Sequence, residues 1–230
     1  MIRDSATILF DLDGTLADTS DDIYRSLNET LKKFNIEEVS FDIVLDFIGD
    51  GVKPLIQKIL KYLGRIEEEP LLFQEFLRHY RKNISKSTYV YPGVLDLIFH
   101  LKQNNFQVIL LTNKLSDLTV KLLSELCILN VFDGIVCGDT FEVKKPSEEL
   151  LKKIYHRYDI KGSIFIIGDG LNDFLFALNS GSNFILAKWG FPTKKVEEYI
   201  KTNFPDQKIF QSPKPSDALK IILNHVSGNL

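Results

Sequence analysis

Four short segments of this 230-residue chain carry side chains that could act together: Asp11-Leu12-Asp13-Gly14-Thr15, Thr112-Asn113-Lys114, Lys144-Lys145-Pro146 and Gly168-Asp169-Gly170-Leu171-Asn172-Asp173. Gathered in one place, Asp11, Asp13, Asp169 and Asp173 make a cluster of up to four carboxylates. Such a cluster repels itself unless a cation neutralises it. Its donors are all oxygens, which selects a hard cation such as Mg²⁺. Lys145 adds a positive charge and Thr112 a hydroxyl. Carboxylates, a divalent cation and a lysine together suit a phosphoryl group, whose oxygens the backbone N–H groups of the Asp13-Gly14-Thr15 turn could cradle.

These segments act together only if the fold brings them to one edge. Five short, β-rich apolar runs are expected to be buried strands: 7–10, 107–111, 134–137, 163–167 and 184–187, with a weaker sixth at 208–210. Between the later runs, apolar residues recur at helical spacing, as in Val94, Leu97, Ile98 and Leu101. Strand–helix–strand alternation predicts an α/β fold, a doubly wound, Rossmann-like, mostly parallel sheet. In such a sheet ligands bind beyond the carboxyl ends of the strands, and three of the four segments follow a predicted strand there. Asp11 and Asp13 are two apart, so both can face one ligand while Leu12 turns into the core. Residues 17–88 break the rhythm. They hold three helical stripes and no convincing strand, which predicts a helical cap inserted after the first strand, with the core formed by 1–16 and 89–230.

In order and spacing, Asp11-x-Asp13-Gly14-Thr15, Thr112-Asn113, Lys145-Pro146 and Gly168-Asp169-x-x-x-Asp173 resemble the four motifs of the haloacid dehalogenase-like hydrolases. Ala17-Asp18-Thr19, Val143-Lys144-Lys145-Pro146 and Lys188-Trp189-Gly190 resemble its phosphoglycolate phosphatase-like branch. The resemblance implies a Mg²⁺-dependent phosphomonoesterase that forms an aspartyl-phosphate on Asp11, with 2-phosphoglycolate the leading substrate. Asp13 would be the general acid and then the base, and would offer its backbone carbonyl to the metal. Thr112 and the Asn113 backbone would hold phosphoryl oxygens, and Lys145 would neutralise charge on the nucleophile. Asp11 and Asp169 would bind the metal directly, with Asp173 acting through water or a neighbouring ligand. The sequence departs from many relatives at Gly170, where they carry a serine. Sugar-phosphate phosphatase, pyrophosphatase and phosphoglucomutase-type transferase remain alternatives, as does a non-enzymatic regulator that binds a phosphorylated metabolite.

Other residues have plainer readings. Lys144 reads as solvated, and Lys114 as either a surface or a site lysine. Asn172 reads as the cap of the helix after the fourth strand. Asp139 either orients Lys145 or ends its strand, and Trp189 reads as packing. Ser216-Asp217 suggests a capped final helix. Within the helical insert, Gly49-Asp50-Gly51-Val52-Lys53 is the expected substrate contact: Gly49 and Gly51 let backbone come close, and Lys53 could meet an anionic group.

Composition narrows the classes. Net charge is −3, pI about 5.9, and 44% of residues are hydrophobic. No overall basic field points to nucleic acid, and no apolar run reaches the ~18 residues of a membrane span. Met1–Ser5 lacks the apolar stretch of a signal peptide, and Cys127 and Cys137 read as free buried thiols, so a cytoplasmic setting is expected. The partner implied is a small phosphorylated metabolite; the sequence leaves oligomeric state open.

Overall fold

Ala6–Phe10 (β1) is apolar except at Thr7 and buried at every position, which fits a strand covered on both faces. It forms the middle of the sheet in this computed structural model, which describes residues 5–65 and 69–228. The chain then passes through Ala17–Asp18 (β2) into four helices: Ser20–Lys33 (α1), Phe41–Phe47 (α2), Val52–Leu63 (α3) and Glu69–Asn83 (α4). It returns through Tyr89–Val90 (β3), which pairs antiparallel with β2. From there helix and strand alternate: Val94–Gln103 (α5), Gln107–Leu111 (β4), Ser116–Glu125 (α6), Gly134–Val136 (β5), Glu149–Arg157 (α7), Ser163–Gly168 (β6), Leu171–Ser180 (α8), Asn183–Ala187 (β7), Lys194–Asn203 (α9), Phe210–Ser212 (β8) and Pro215–Val226 (α10).

The sheet is parallel throughout, in the order β5-β4-β1-β6-β7-β8. Alternate residues of each strand face opposite layers. Ile8, Phe10, Phe165 and Ile167 pack in one core cluster with Leu97 and Leu101 of α5, Leu118 and Leu122 of α6 and Ile222 of α10. Leu9, Ile109 and Ile166 point the other way, to Leu150 and Ile154 of α7, Phe174 and Ala177 of α8 and Ile200 of α9. Helices on both faces make the sheet doubly wound, as the sequence predicts. The first cluster continues without a break through Leu16 and Ala17 to Leu27, Ile56, Phe76 and Tyr80 of the four-helix unit.

Several boundaries differ from the sequence reading. The sixth strand is Phe210–Ser212 rather than 208–210, because it takes its register from β7 through Ile185↔Phe210. The third run ends at Val136, and Cys137 lies just beyond it. A two-residue strand, β2, occupies 17–18, inside the stretch expected to hold none. Helix α10 starts at Pro215 with Lys214 at its N-cap, so Ser216 and Asp217 lie in its first turn instead of capping it. Cys137 is buried as expected, but Cys127 is exposed; both are free. Met1–Asp4, on which the signal-peptide reading rests, lies outside the described residues. Among the described residues no helix is long and apolar enough to cross a membrane.

Candidate active site

The three central strands deliver the polar segments. Residue Asp11 extends β1, its N–H bonded to Ile167 O of β6 at 2.9 Å. Thr112 extends β4 in the same way, bonded to Val136 O at 2.9 Å, and Asp169 follows β6 directly. The sheet order places β1 between β4 and β6, so these ends are neighbours at the point where the winding reverses.

One carboxylate oxygen each from Asp11, Asp169 and Asp173 lies within 4.8 Å of the others, and all three residues are buried. Lys145 is the cation among them. Its Nζ donates to Asp11 Oδ1 at 2.6 Å, Asp173 Oδ1 at 2.6 Å and Leu111 O at 2.9 Å, which uses all three of its N–H groups. Asp169 Oδ1 accepts from Thr15 Oγ1 at 2.7 Å. Asp173 Oδ2 accepts from the Gly170 backbone N–H at 3.1 Å. The chain must turn tightly after Asp13: Gly14 sits at φ +84°, and a Cβ there would lie 2.5 Å from Asp169 Oδ2.

Three buried carboxylates against one ammonium leave an excess of negative charge. Burial pushes the Asp11 carboxyl up to about 7, with Lys145 opposing and Asp173 adding to the rise. Burial also raises Asp169 well above the ordinary range, reinforced by Asp11 and Asp173. Burial alone would lower Lys145, but Asp11 and Asp173 hold it above its usual value. An all-oxygen, buried, over-acidic cluster is the donor set a hard divalent cation needs.

Asp13 belongs to a second charge pair. Its Oδ1 accepts from Lys114 Nζ at 2.8 Å and from Thr19 Oγ1 at 2.7 Å. Lys114 is buried, with its Nζ also bonded to Tyr80 OH of α4 at 2.7 Å. Sequence reasoning left Lys114 open between surface and site; the structure puts it inside. Sequence reasoning assigned Tyr80 no part in the site, although a phenol on a buried face needs a polar partner.

The α2–α3 loop lies over this edge. Asn113 Nδ2 donates to Gly49 O at 3.1 Å and Lys145 O at 3.2 Å, which leaves its buried Oδ1 with no partner among the described residues. Asn172 donates to the Asp50 carboxylate and to Gly49 O at 3.4 Å, so it bridges to the loop; the N-cap of α8 is Gly170. Lys144 donates to Asp50 O at 2.6 Å and is not the freely solvated residue expected. Asp139 takes neither role read from the sequence; it accepts from the N–H and hydroxyl of Ser116 at the start of α6. Trp189 packs as expected and donates to Thr15 O at 2.9 Å. Gly49 and Gly51 line a cavity of about 30 Å³ with Asp11, Asp13 and Lys114. Lys53 does not join them: its side chain is 65% exposed and sits 3.8 Å from Glu69. The first turn of α3 points that residue outward, away from Gly51 and Val52.

The family profile of the haloacid dehalogenase-like hydrolases matches residues 8–187. The chain belongs to that family. It is 37% identical over 222 residues to the phosphoglycolate phosphatase of Aquifex aeolicus (strain VF5), covering 95% of this chain and 97% of that protein. It is 32% identical over 193 residues to the phosphoglycolate phosphatase of Agrobacterium fabrum (strain C58), covering 81% and 82%. The fold matches the crystal structure described as a predicted phosphoglycolate phosphatase from Haemophilus somnus 129PT, with a TM-score of 0.81 at 24% identity over 94% of this chain and 97% of that one. For a haloacid dehalogenase-like hydrolase, the four polar segments are thus found in order and at one sheet edge.

Proposed function

We propose that this protein is a Mg²⁺-dependent phosphomonoesterase that hydrolyses 2-phosphoglycolate. The observation that carries the reading is the meeting of Asp11, Asp169 and Asp173 around Lys145 at the carboxyl edge of the sheet. Its relatives named phosphoglycolate phosphatase, similar over 95% and 81% of the chain, support the substrate.

In this reading Asp11 is the nucleophile. Its Oδ1 is held by Lys145, which aligns the carboxylate and offsets charge as the P–O bond to Asp11 forms and the ester P–O bond breaks. Asp13 protonates the leaving alkoxide and then takes a proton from the water that hydrolyses the aspartyl-phosphate. Lys114 and Thr19 both occupy its Oδ1, so Oδ2 is the oxygen that carries the proton. Thr112 Oγ1 accepts from the Lys114 backbone N–H, leaving its hydroxyl proton for a phosphoryl oxygen, alongside the Asn113 backbone. Mg²⁺ would be held by Asp11, Asp169 and the backbone carbonyl of Asp13, the carboxylate of Asp13 being already engaged. It supplies charge neutralisation for the transferring phosphoryl group. Asp173, with both oxygens taken by Lys145 and Gly170, fits a role beside the metal, orienting Lys145 and bound water. Residues 17–88 act as a cap that closes the site from bulk water and admits the substrate past Gly49 and Gly51.

Phosphate release from 2-phosphoglycolate with Mg²⁺ tests the assignment. Turnover should be abolished by EDTA and should fall by at least about 10³-fold in Asp11→Asn. Full activity in either condition would refute it.

A further inference from the structure

The sequence offers Lys53 as the cation for an acidic leaving group, and the structure turns it outward. A different lysine occupies the inside. The cavity of about 30 Å³ lies between the Asp11–Asp13 turn and the four-helix unit, and its walls from that unit are mostly apolar: Ile23, Ile48, Val52, Leu55 and Phe76. It adjoins a larger pocket of about 400 Å³ that shares Asp11, Asp13, Ile48 and Gly49 with it. Lys114 borders the smaller cavity, with a side chain that is only 3% exposed.

An ammonium carries three N–H groups. On Lys114, one goes to Asp13 and one to Tyr80 OH, and the third has no acceptor among the described residues. Lys145 shows the contrast, with all three N–H groups taken by protein oxygens. Tyr80 and Asp13 hold the Lys114 ammonium in place, so an anion arriving in the cavity meets a cation that is already oriented. The start of α3 adds to this field. Gly51 is its N-cap and gives no side-chain acceptor to the first N–H groups, while Gly51 and Val52 line the same cavity.

We propose that Lys114 is the specificity-determining residue of the site and receives the carboxylate of a small acidic alcohol while that alcohol is still esterified to phosphate. This rests on the phosphomonoesterase reading above and deepens it: the preferred substrates are phosphate esters whose short leaving group carries a negative charge. A neutral alcohol of the same length leaves the third N–H without a partner and gains nothing from the α3 terminus.

Two esters with two-carbon leaving groups separate the possibilities, 2-phosphoglycolate and ethyl phosphate. With wild-type protein and Mg²⁺, kcat/KM is expected to favour 2-phosphoglycolate by about 10- to 100-fold, the range of one charge-assisted hydrogen bond in a closed site. In Lys114→Met the ratio should collapse to within about 3-fold of one. Because Lys114 also holds Asp13, both esters should slow in that variant, and the ratio cancels the shared loss. Should Lys114→Met turn over too slowly to measure, calorimetry reads the same ratio as dissociation constants, with Asp11→Asn compared to Asp11→Asn/Lys114→Met. Equal rates on the two esters in wild type, a ratio that survives in Lys114→Met, or a ratio that collapses in Lys53→Met instead would each overturn the inference and leave the phosphatase reading standing. Absence of phosphate release from both esters would overturn the phosphatase reading, and this inference with it.

Discussion

Asp11 and Asp169 are held in a site that stabilises their protonated forms when no cation is bound. Burial carries Asp11 from the ordinary carboxylate range to about 7, and Asp169 moves the same way. Between about pH 4 and pH 7 the native protein therefore binds protons that the unfolded chain has released. The sign follows: stability of the metal-free protein falls as pH rises through that window. Carboxylates held low, such as Asp50 beside Lys58, act in the opposite sense, but only below about pH 4. The thermal midpoint without metal is thus expected to be lower at pH 8 than at pH 5.5. Mg²⁺ should raise it more at pH 8, where the carboxylates are free to bind. Calorimetry at both pH values with and without Mg²⁺ checks this, and a midpoint indifferent to both would contradict the metal assignment. Lys145 is the other half of this balance. Lys145→Met removes a buried ammonium and strands Asp11, Asp173 and Leu111 O, so a destabilisation of about 3 kcal/mol or more is expected by urea titration. Activity should fall by about 10²-fold or more, read as phosphate release.

The α2–α3 loop depends on backbone that only glycine adopts easily. Gly51 sits at φ +94°, and a Cβ there would lie 2.8 Å from Asn113 O. Gly49, at φ +121°, has open space around it. Gly51→Ala should therefore lift the loop off the core and lower kcat/KM by about 10-fold or more, while Gly49→Ala carries strain alone and costs less. Steady-state kinetics on the two variants rank them, and the reverse order would show that the loop's approach to Asn113 is immaterial. The same elements show how far the sequence could be read. Strands β1, β4 and β6 were legible because each is a run buried on both faces, and the Asp-x-Asp spacing at the end of β1 places two carboxylates at one edge. Two-residue strands such as β2 and β3 carry no periodicity. Helix α2 has only Val44 buried, which gives it no stripe to find. Lys114 and Lys53 looked alike as lysines beside polar segments. What separates them is the direction each side chain takes from its backbone: the segment after β4 turns Lys114 inward onto Tyr80, and the first turn of α3 turns Lys53 outward.

At the scale of the molecule, the proposed cap of residues 17–88 joins the rest through two chain passages, a shared apolar core and a set of polar contacts. The passages are the β2–β3 ribbon and the clasp beside it. Asp22, buried in α1, accepts from the N–H groups of Ser87 and Thr88 at 3.0 and 2.9 Å and from Thr88 Oγ1 at 2.8 Å. Such a clasp fixes where the four-helix unit attaches and leaves its tilt to other contacts. Several of those others gather on one loop: Asn172 and Lys144 from the core hold Asp50, and Asn113 holds Gly49. The units also meet through the continuous apolar core, through the Lys114–Tyr80 and Asp13–Thr19 hydrogen bonds, and through exposed pairs such as Lys195–Asp46 and Arg81–Asp117, the last of which are worth little in water. If residues 17–88 close over the site as proposed, the Asp50 contacts are expected to govern closure, while the continuous core beneath them governs folding. The two can be separated by experiment. Asn172→Ala combined with Lys144→Ala should lower kcat/KM for 2-phosphoglycolate by about 10-fold as the open form gains population, mainly through KM. Global stability should fall by less than about 1 kcal/mol, because the lost contacts are polar and only partly buried. Asp22→Ala should show the opposite pattern, losing about 2–3 kcal/mol in urea titration with KM little changed at low temperature. If the double variant lost stability in proportion to activity, the loop contacts would belong to the folding core and the cap would not move as a separate body.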